Sequence, residues 1–362
     1  MHQITRVRAP CSRFFKTALV CSALFLSVVL AGCASTPKKP ENSEPVWVAN
    51  PRTVYDEKQY VSAVGFGLTR ELAEKSAFSS LVAVFGQRVQ GETTVNERFS
   101  EALRNGALTV SEDSELNKQI TTSVDLDTLV GAEIKDTWFD GKKTTYAVAV
   151  MDKAKGAMLY ANMIEKNEET IAQLIDIPGS DRDSLDAYAR YDLASAIGFT
   201  NERFLNVLSV LNPAAAAAKR ASVTGGDSLK IECLRIAQNI PISVTVSNDR
   251  DGRISSVFET VISASGFKTG GDDSRYALEA RLTLSPVTLA DNENKFVRYI
   301  VDARLVDRAK GTVLIPFSIN GREGHANEGE AENRAVRVAQ QKIGTAFGKE
   351  FGAYLVQLTA GK

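Results

Sequence analysis

The chain begins with a short apolar segment between basic residues and a cysteine, and this segment limits which part of the chain can form a globular fold. Four basic residues precede it: Arg6, Arg8, Arg13 and Lys16. Residues 17–30 (TALVCSALFLSVVL) carry no charge. This layout is typical of an export signal that is removed from the mature protein. The globular fold is therefore expected in the residues that follow.

The end of this segment resembles a known processing site. Leu30, Ala31, Gly32 and Cys33 closely resemble the lipobox of bacterial lipoproteins. The resemblance implies attachment of diacylglycerol to the Cys33 thiol, cleavage between Gly32 and Cys33, and often acylation of the new terminus. Two or three acyl chains would hold the protein firmly on a membrane. Two alternatives are an uncleaved membrane anchor and an ordinary signal peptide in which Cys33 has no role.

The residue after the cysteine bears on location. Ala34 follows Cys33, where the lipoprotein sorting rule would require Asp for retention in the inner membrane. The resemblance therefore implies lipid anchoring in the outer membrane, facing the periplasm, with surface exposure as the alternative.

Composition constrains the mature protein further. Removal of 32 residues, four of them basic and none acidic, leaves 330 residues and changes the net charge from −1 to −5. No global positive field would attract nucleic acid, so we expect no nucleic-acid partner.

Only Cys33 and Cys233 remain in the mature chain, which excludes an internal disulfide if Cys33 carries lipid. Cys233 lies in an apolar run, and we predict a buried thiol; a reactive thiol is the alternative.

The pattern along the chain predicts an α+β fold with two small sheet-and-helix modules joined by a helical connector, after a cleaved lipoprotein signal peptide. After the signal (1–32), we expect a lipidated cysteine and flexible tether at 33–45, which is rich in proline and charge. The first module is expected at 46–175, the helical connector at 176–228 and the second α+β module at 229–362. A flexible linker is the alternative to the connector, although five consecutive alanines favour a helix.

In the first module, we predict a strand at 59–66, a turn at Gly65–Gly67, and a helix that Thr69 caps and that runs to about Val89. The core stripe of this helix is predicted at Ala73, Ala77, Leu81 and Phe85. A polar segment follows. Then come three predicted strands at 109–124, 128–139 and 143–151, with a hairpin turn at Asp140 and Gly141, and a helix at 153–174.

The connector and the second module also contain patterns that predict helices and strands. Asn212 and Pro213 are predicted to start a helix that Gly225 and Gly226 end. We predict strands at 240–247, 275–284, 296–306 and 312–319, and helices at 254–264 and 329–358. The last helix has a predicted core stripe of Ala335, Ala339, Ile343, Phe347, Phe351 and Leu355.

The first module carries a family resemblance. Residues 60–67 (YVSAVGFG) end in Gly-x-Gly, and a helix with regularly spaced alanines follows. Pro45, Val46 and Trp47 provide a Pro-x-Trp near the mature start. These features resemble the Lpp-twenty (LPP20) family of bacterial lipoproteins and the N-terminal domain of the flagellar assembly protein FlgT. The resemblance implies a noncatalytic envelope protein and transfers no active-site residue. The second module looks more weakly like the α/β folds of envelope lipoproteins such as the penicillin-binding-protein activators.

The sequence offers no catalytic, cofactor-binding or metal-binding residue, and we predict that the protein is not an enzyme. The Gly65-x-Gly67 pair lacks the third glycine of a dinucleotide fingerprint because position 70 is Arg70. Glycines for close helix packing are the favoured interpretation. The mature chain contains one histidine, His325, which excludes multi-histidine zinc sites.

Two further groups of residues have alternative interpretations. Residues 322–325 (REGH) are predicted to form a polar loop with an internal ion pair, or a ligand site in which Arg322 binds a carboxylate or a glycan. Trp47, Trp138 and Phe139 are predicted to be core or tether-anchor residues, with a sugar-binding platform as the alternative.

The leading hypothesis is a lipid-anchored, noncatalytic envelope protein that scaffolds or regulates envelope or flagellar machinery through protein contacts. The expected partners are a membrane, through the lipid on Cys33, and an envelope protein, for which an uncovered sheet edge is one docking site. A periplasmic cell-wall hydrolase and a small-ligand or lipid carrier are the alternatives.

Overall fold

A computed structural model describes residues 43–86, 92–125, 128–290 and 292–360. Cys33, the predicted signal at 1–32 and most of the predicted tether lie outside the described residues. The described residues form a three-stranded and a five-stranded sheet together with ten α-helices, which confirms the predicted α+β class.

The helices and strands have the following bounds. The helices are α1 Val46–Ala49, α2 Arg70–Phe85, α3 Thr93–Arg104, α4 Ser114–Asp125, α5 Lys153–Ile175, α6 Leu185–Leu211, α7 Pro213–Arg220, α8 Gly226–Asn239, α9 Arg253–Ala264 and α10 Glu328–Gln357. The strands are β1 Tyr60–Gly67, β2 Glu133–Phe139, β3 Thr145–Asp152, β4 Ile242–Ser247, β5 Thr269–Gly270, β6 Tyr276–Val287, β7 Lys295–Asp307 and β8 Thr312–His325.

The first sheet is antiparallel, with the order β1-β3-β2, and α2 packs on one of its faces. The predicted stripe of α2 is buried, and the Thr69 side chain accepts a hydrogen bond from the Leu72 N–H, as a helix cap does. The predicted turn at Gly65–Gly67 is wrong, because β1 continues through Gly67. Close packing explains these glycines: a Cβ on Gly65 would lie 2.0 Å from the Ala77 nitrogen.

The predicted strand at 109–124 is also wrong. Residues from Ser114 onward form α4, and α3 precedes it in the segment that the sequence left as polar. The Asp113 carboxylate accepts hydrogen bonds from the N–H groups of Glu115 and Leu116 and so starts the helix. Ile120 and Val124, one turn apart, are both buried. Burial at helical spacing therefore outweighs the strand preference of the β-branched residues in this segment.

The long helix α6 runs through the centre of the described chain and contributes to two cores. Its N-terminal residues Leu185, Ala187 and Tyr188 pack in the core of the second sheet. From Leu193 to Leu211, most of its buried apolar side chains belong to the core of the first sheet. Residues 44–362 accordingly form one compact unit. In the described ranges, every helix is too short or too polar to cross a bilayer.

Two glycines near the end of the connector have a different role from the predicted one. The helix that Pro213 starts ends at Arg220, and Gly226 begins α8. A Cβ on Gly198 would lie 2.9 Å from the Cα of Gly226. Gly198 and Gly226 therefore allow α6 and α8 to approach closely, and Gly226 does not end a helix.

The second sheet has the order β5-β4-β6-β7-β8, in which β4 lies parallel to β5 and β6 and the other neighbours are antiparallel. The four predicted strands and both predicted helices of this module are present. The α10 stripe is buried as predicted. β8, however, extends to His325, so the predicted polar loop at 322–325 is wrong.

Candidate interaction surfaces

Helix α1 covers part of the first sheet on the face opposite α2. Trp47 is 4% exposed and packs with Val148 and Val150. Its indole nitrogen Nε1 donates a hydrogen bond to Asp136 Oδ2 at 2.9 Å. The prediction that Trp47 is a core residue is therefore confirmed, and the segment next to the predicted tether is fixed on this face.

Beside α1, three aromatic residues form a row across the same sheet face. Tyr146 of the central strand β3 lies between Phe66 of β1 and Trp138 of β2. The ring centroids of Phe66 and Tyr146 are 6.4 Å apart, and those of Trp138 and Tyr146 are 5.5 Å apart. Cross-strand aromatic pairs of this kind stabilise a sheet. Trp138 is half-buried by this contact, whereas Phe66 stays exposed.

The end of the first sheet exposes four large apolar side chains, which we call the apolar end: Phe66, Leu68, Leu72 and Phe139. Their exposed fractions lie between 48% and 74%. The strand register aligns Gly67, Thr145 and Phe139 in one row. A Cβ on Gly67 would lie 2.6 Å from the Leu72 Cβ, which places Leu72 at the same end of the sheet. The prediction of a core position is thus wrong for Phe139.

The hairpin that joins β2 to β3 adds positive charge beside this end. Asp140 accepts hydrogen bonds from the backbone N–H groups of Thr144, Lys142 and Lys143. These bonds, that of Thr144 most strongly, lower the pKa of the Asp140 carboxyl below its ordinary value. The two lysine side chains are exposed.

The second sheet has one face covered by α9 and α10 and one open face. Five arginines belong to or border the open face: Arg281, Arg298, Arg304, Arg308 and Arg322. Two acidic residues, Glu279 and Asp302, lie on the same face. The open face of the sheet is thus positively charged, although the chain as a whole is not.

The residues predicted to form a loop at 322–325 lie in β8, and each contacts a different part of the structure. Arg322 places its guanidinium carbon 5.5 Å from the centre of the Phe296 ring on β7. Glu323 forms an ion pair with Arg334 of α10 at 3.3 Å rather than one within the segment. His325 Nδ1 accepts a hydrogen bond from the Asn327 N–H, next to the start of α10.

Cys233 is fully buried on α8, as predicted. Burial is the main cause that raises the pKa of its thiol to about 12, and the Asp192 carboxylate adds to it. A thiol in this state is neutral and unreactive at physiological pH.

Sequence patterns did not identify the aromatic row, the apolar end or the arginine face. Each depends on which residue of one strand lies opposite which residue of another. No group of three or more His, Cys, Asp or Glu residues able to hold a metal occurs within the described ranges.

Comparisons with known proteins show what parts of this chain are similar to. Residues 45–152 match the family model of the LPP20 lipoproteins. No curated protein matches the chain. A minor lipoprotein from Acinetobacter baumannii is 14% identical, with 32% of this chain and 93% of that chain covered and a TM-score of 0.27. A secreted protein from Helicobacter pylori is 14% identical, with 84% of this chain and 99% of that chain covered and a TM-score of 0.38.

The LPP20 match spans the residues on which the sequence resemblance rests. It begins at the Pro-x-Trp of residues 45–47 and includes β1, α2 and the other two strands of the first sheet. The predicted resemblance is therefore confirmed: over residues 45–152, this chain is similar to the LPP20 lipoproteins.

Proposed function

We propose that this protein is a lipid-anchored, noncatalytic envelope lipoprotein that holds a protein partner close to the outer membrane, on its periplasmic side. The LPP20 match over residues 45–152 supports an envelope lipoprotein. The lipobox-like sequence that ends at Cys33 supports the anchor.

The observation that carries the partner contact is the apolar end of the first sheet. Phe66, Leu68, Leu72 and Phe139 expose about half or more of their side chains at one end of the sheet. Phe66 lies on the α1 face of this end, and Phe139 and Leu72 lie on the α2 side. Exposed apolar groups that lie near one another mark interaction sites more often than isolated ones do. At protein interfaces a few well-packed side chains supply most of the free energy of binding.

The tether sets the distance over which a partner can be held. The 12 residues from Ala34 to Pro45 span at most about 40 Å when fully extended. A protein that is fixed to a membrane by such a tether meets other membrane-bound proteins at a raised effective concentration. Trp47 packs on the sheet face that also carries Phe66, so the tether leads directly to this part of the molecule.

Labelling of cells with a clickable fatty acid tests the anchor. We expect the wild-type protein to incorporate the label and to fractionate with the outer membrane. Cys33→Ala should lose the label, and the control Cys233→Ala should keep it. Absence of label from the wild type, or label that persists in Cys33→Ala, would contradict the anchor.

Site-specific photo-crosslinking in the envelope tests the contact. A crosslinking amino acid at position 66 should give a discrete protein adduct that Leu68→Ser weakens. The same amino acid at position 349, an exposed site on α10, serves as the control. Adducts that are equally strong at both positions, or none at position 66, would contradict a specific contact at the apolar end.

A further inference from the structure

The open face of the second sheet holds more positive charge than its acidic residues can neutralise. Glu279 forms ion pairs with both Arg304 at 2.9 Å and Arg308 at 3.6 Å. Arg281 lies opposite Asp302 in the register of β6 and β7, and Asp302 also accepts a hydrogen bond from the Ser318 hydroxyl at 2.7 Å. Glu279 is therefore engaged by two arginines, and Asp302 by the Ser318 hydroxyl.

Two arginines on this face lie side by side without an acidic partner. Arg298 of β7 is directly opposite Arg322 of β8. Directly opposite residues on one sheet face have Cβ atoms about 4.5–5.5 Å apart, and like charges at such positions destabilise a sheet. Neither arginine forms an ion pair with any residue that the structure describes. The pair is thus an uncompensated concentration of charge.

The surroundings of the pair form an open surface groove. Arg298, Ile300, Asn320, Gly321 and Arg322 line an open groove of about 410 Å³. The ring of Phe296 lies beneath the Arg322 guanidinium, and this cation–π contact restricts the orientation of the charged group. Asn320, two residues before Arg322 on the same face, adds an amide that can donate to an oxyanion.

Pairing with a partner strand is disfavoured at this edge of the sheet. β8 is the outermost strand, but Pro316 has no N–H to donate. The ammonium group of Lys342 donates to the backbone carbonyl of Asn320 at 3.2 Å. Proline and lysine at an edge strand protect it from further strand pairing. The open groove, rather than the strand edge, is therefore the available feature.

We propose that Arg298, Arg322 and Asn320 form a binding site for a phosphate group. Two adjacent guanidinium groups carry two positive charges, which a phosphate monoester of nearly two negative charges neutralises better than a single carboxylate does. Guanidinium groups bind phosphate oxygens through paired, charge-assisted hydrogen bonds. The phosphate group comes from a soluble phosphate compound or from a lipid headgroup, and the experiment below separates these sources. This site is independent of the lipid anchor and of the apolar end.

Thermal unfolding of the full lipidated protein in neutral detergent tests the site. Inorganic phosphate at millimolar concentration should raise the Tm of the wild type above that in chloride of equal ionic strength. Arg298→Gln and Arg322→Gln should lose this rise. In the absence of phosphate, each should unfold at the same or a higher Tm than the wild type, because the repulsion between the two charges is removed. Arg304→Gln, which removes an arginine that already has an acidic partner, is the matched control and should keep the rise.

Mixed micelles that contain phosphatidic acid, compared with phosphatidylcholine alone, form the second arm of the experiment. A rise in Tm with inorganic phosphate that phosphatidic acid does not produce assigns the site to soluble phosphates. A rise only with phosphatidic acid that Arg322→Gln abolishes and Arg304→Gln retains assigns it to a lipid headgroup. A rise with neither, or one that persists in both Arg298→Gln and Arg322→Gln, overturns the proposal.

Discussion

Arg98 of α3 lies with its guanidinium Nε 3.3 Å from the carboxylate Oδ2 of Asp192 on α6. The same guanidinium donates from Nη2 to the Thr359 hydroxyl at 2.9 Å, just beyond α10. α3 packs in the core of the first sheet, whereas α10 covers the second sheet. One side chain therefore joins elements of both halves of the described chain.

Substitution of Arg98 by methionine should destabilise the protein. The Arg98 side chain is only 10% exposed, so its loss removes two hydrogen bonds from a largely buried position, although Asp192 keeps the ion pair with Lys230. We expect the free energy of unfolding to fall by about 1–3 kcal/mol, measured by urea denaturation. Lys118→Met, which breaks an exposed ion pair with Glu115, is the control and should change stability by less than about 0.5 kcal/mol. Equal effects of the two variants would contradict a joining role for Arg98.

The closeness of β1 and α2 predicts that Gly65 tolerates no side chain. Because the Cβ of alanine would lie 2.0 Å from the backbone nitrogen of Ala77, α2 must move away from the sheet. Gly65→Ala should therefore destabilise the protein by about 3 kcal/mol in urea denaturation. Gly352→Ala on α10 meets nothing within 4 Å and should stabilise the helix by about 0.5–1 kcal/mol. An unchanged midpoint for Gly65→Ala would show that the sheet and the helix are less tightly packed than described.

Two buried tyrosines should respond differently to loss of the hydroxyl group. The Tyr160 hydroxyl accepts a hydrogen bond from the Val130 N–H at 3.0 Å, and burial raises the pKa of Tyr160. Tyr160→Phe leaves that N–H unpaired and should cost about 1–3 kcal/mol of unfolding free energy. The hydroxyl of Tyr299 is buried without a hydrogen-bond partner in the described chain. Tyr299→Phe should therefore be neutral or stabilising, and the reverse order of the two effects would refute this assignment.

Residue patterns predicted most of the second module, because each of its elements repeats one strong signal. The strands alternate apolar and polar residues, and the α10 stripe repeats every four residues. In the first module, two sequence signals in one segment favour different structures. Threonine and valine at 121–124 favour a strand, whereas Asp113 favours a helix start, and only packing decides between them.

The site residues depended on contacts that no local pattern contains. The strand was predicted to end at residue 319, but β8 continues through Gly321 and Gly324, although glycine weakens a strand. The strand continues because the rings of Tyr299 and Phe296 lie opposite these glycines and fill the space that their side chains would occupy. The pairing of Arg298 with Arg322 follows from this register, which links residues far apart in the sequence.

Asp307 should make the stability of the second sheet depend on pH in the acid range. Burial acts to raise the pKa of this carboxyl, but the hydrogen bond and charge of Arg275, with the N–H groups of Lys310 and Ala309, outweigh burial and lower it. A pKa below the ordinary 3.8 means that the folded state binds the proton less readily than the unfolded state. The contribution is fully present above the unfolded pKa and is lost as the pH falls through the folded value.

Urea denaturation of Asp307→Asn along a pH series measures this contribution. The variant should be less stable than the wild type near neutral pH, and the difference should shrink as the pH falls below about 4. Glu115→Gln, which changes an exposed carboxyl, serves as the control and should follow the wild type. A difference that stays constant down to acid pH would contradict the lowered pKa of Asp307.

Cys233 should resist thiol reagents until the protein unfolds. Its side chain is fully buried, burial raises its pKa to about 12, and its sulfur donates to the Tyr188 carbonyl at 3.7 Å. A chain that begins at Ala34 contains no other cysteine, so the reaction reports on this thiol alone. We expect negligible modification by a maleimide at neutral pH and complete modification in denaturing urea, followed by mass spectrometry. Because the thiolate is the reacting form, rapid and complete labelling of the native chain would show that Cys233 is neither buried nor neutral.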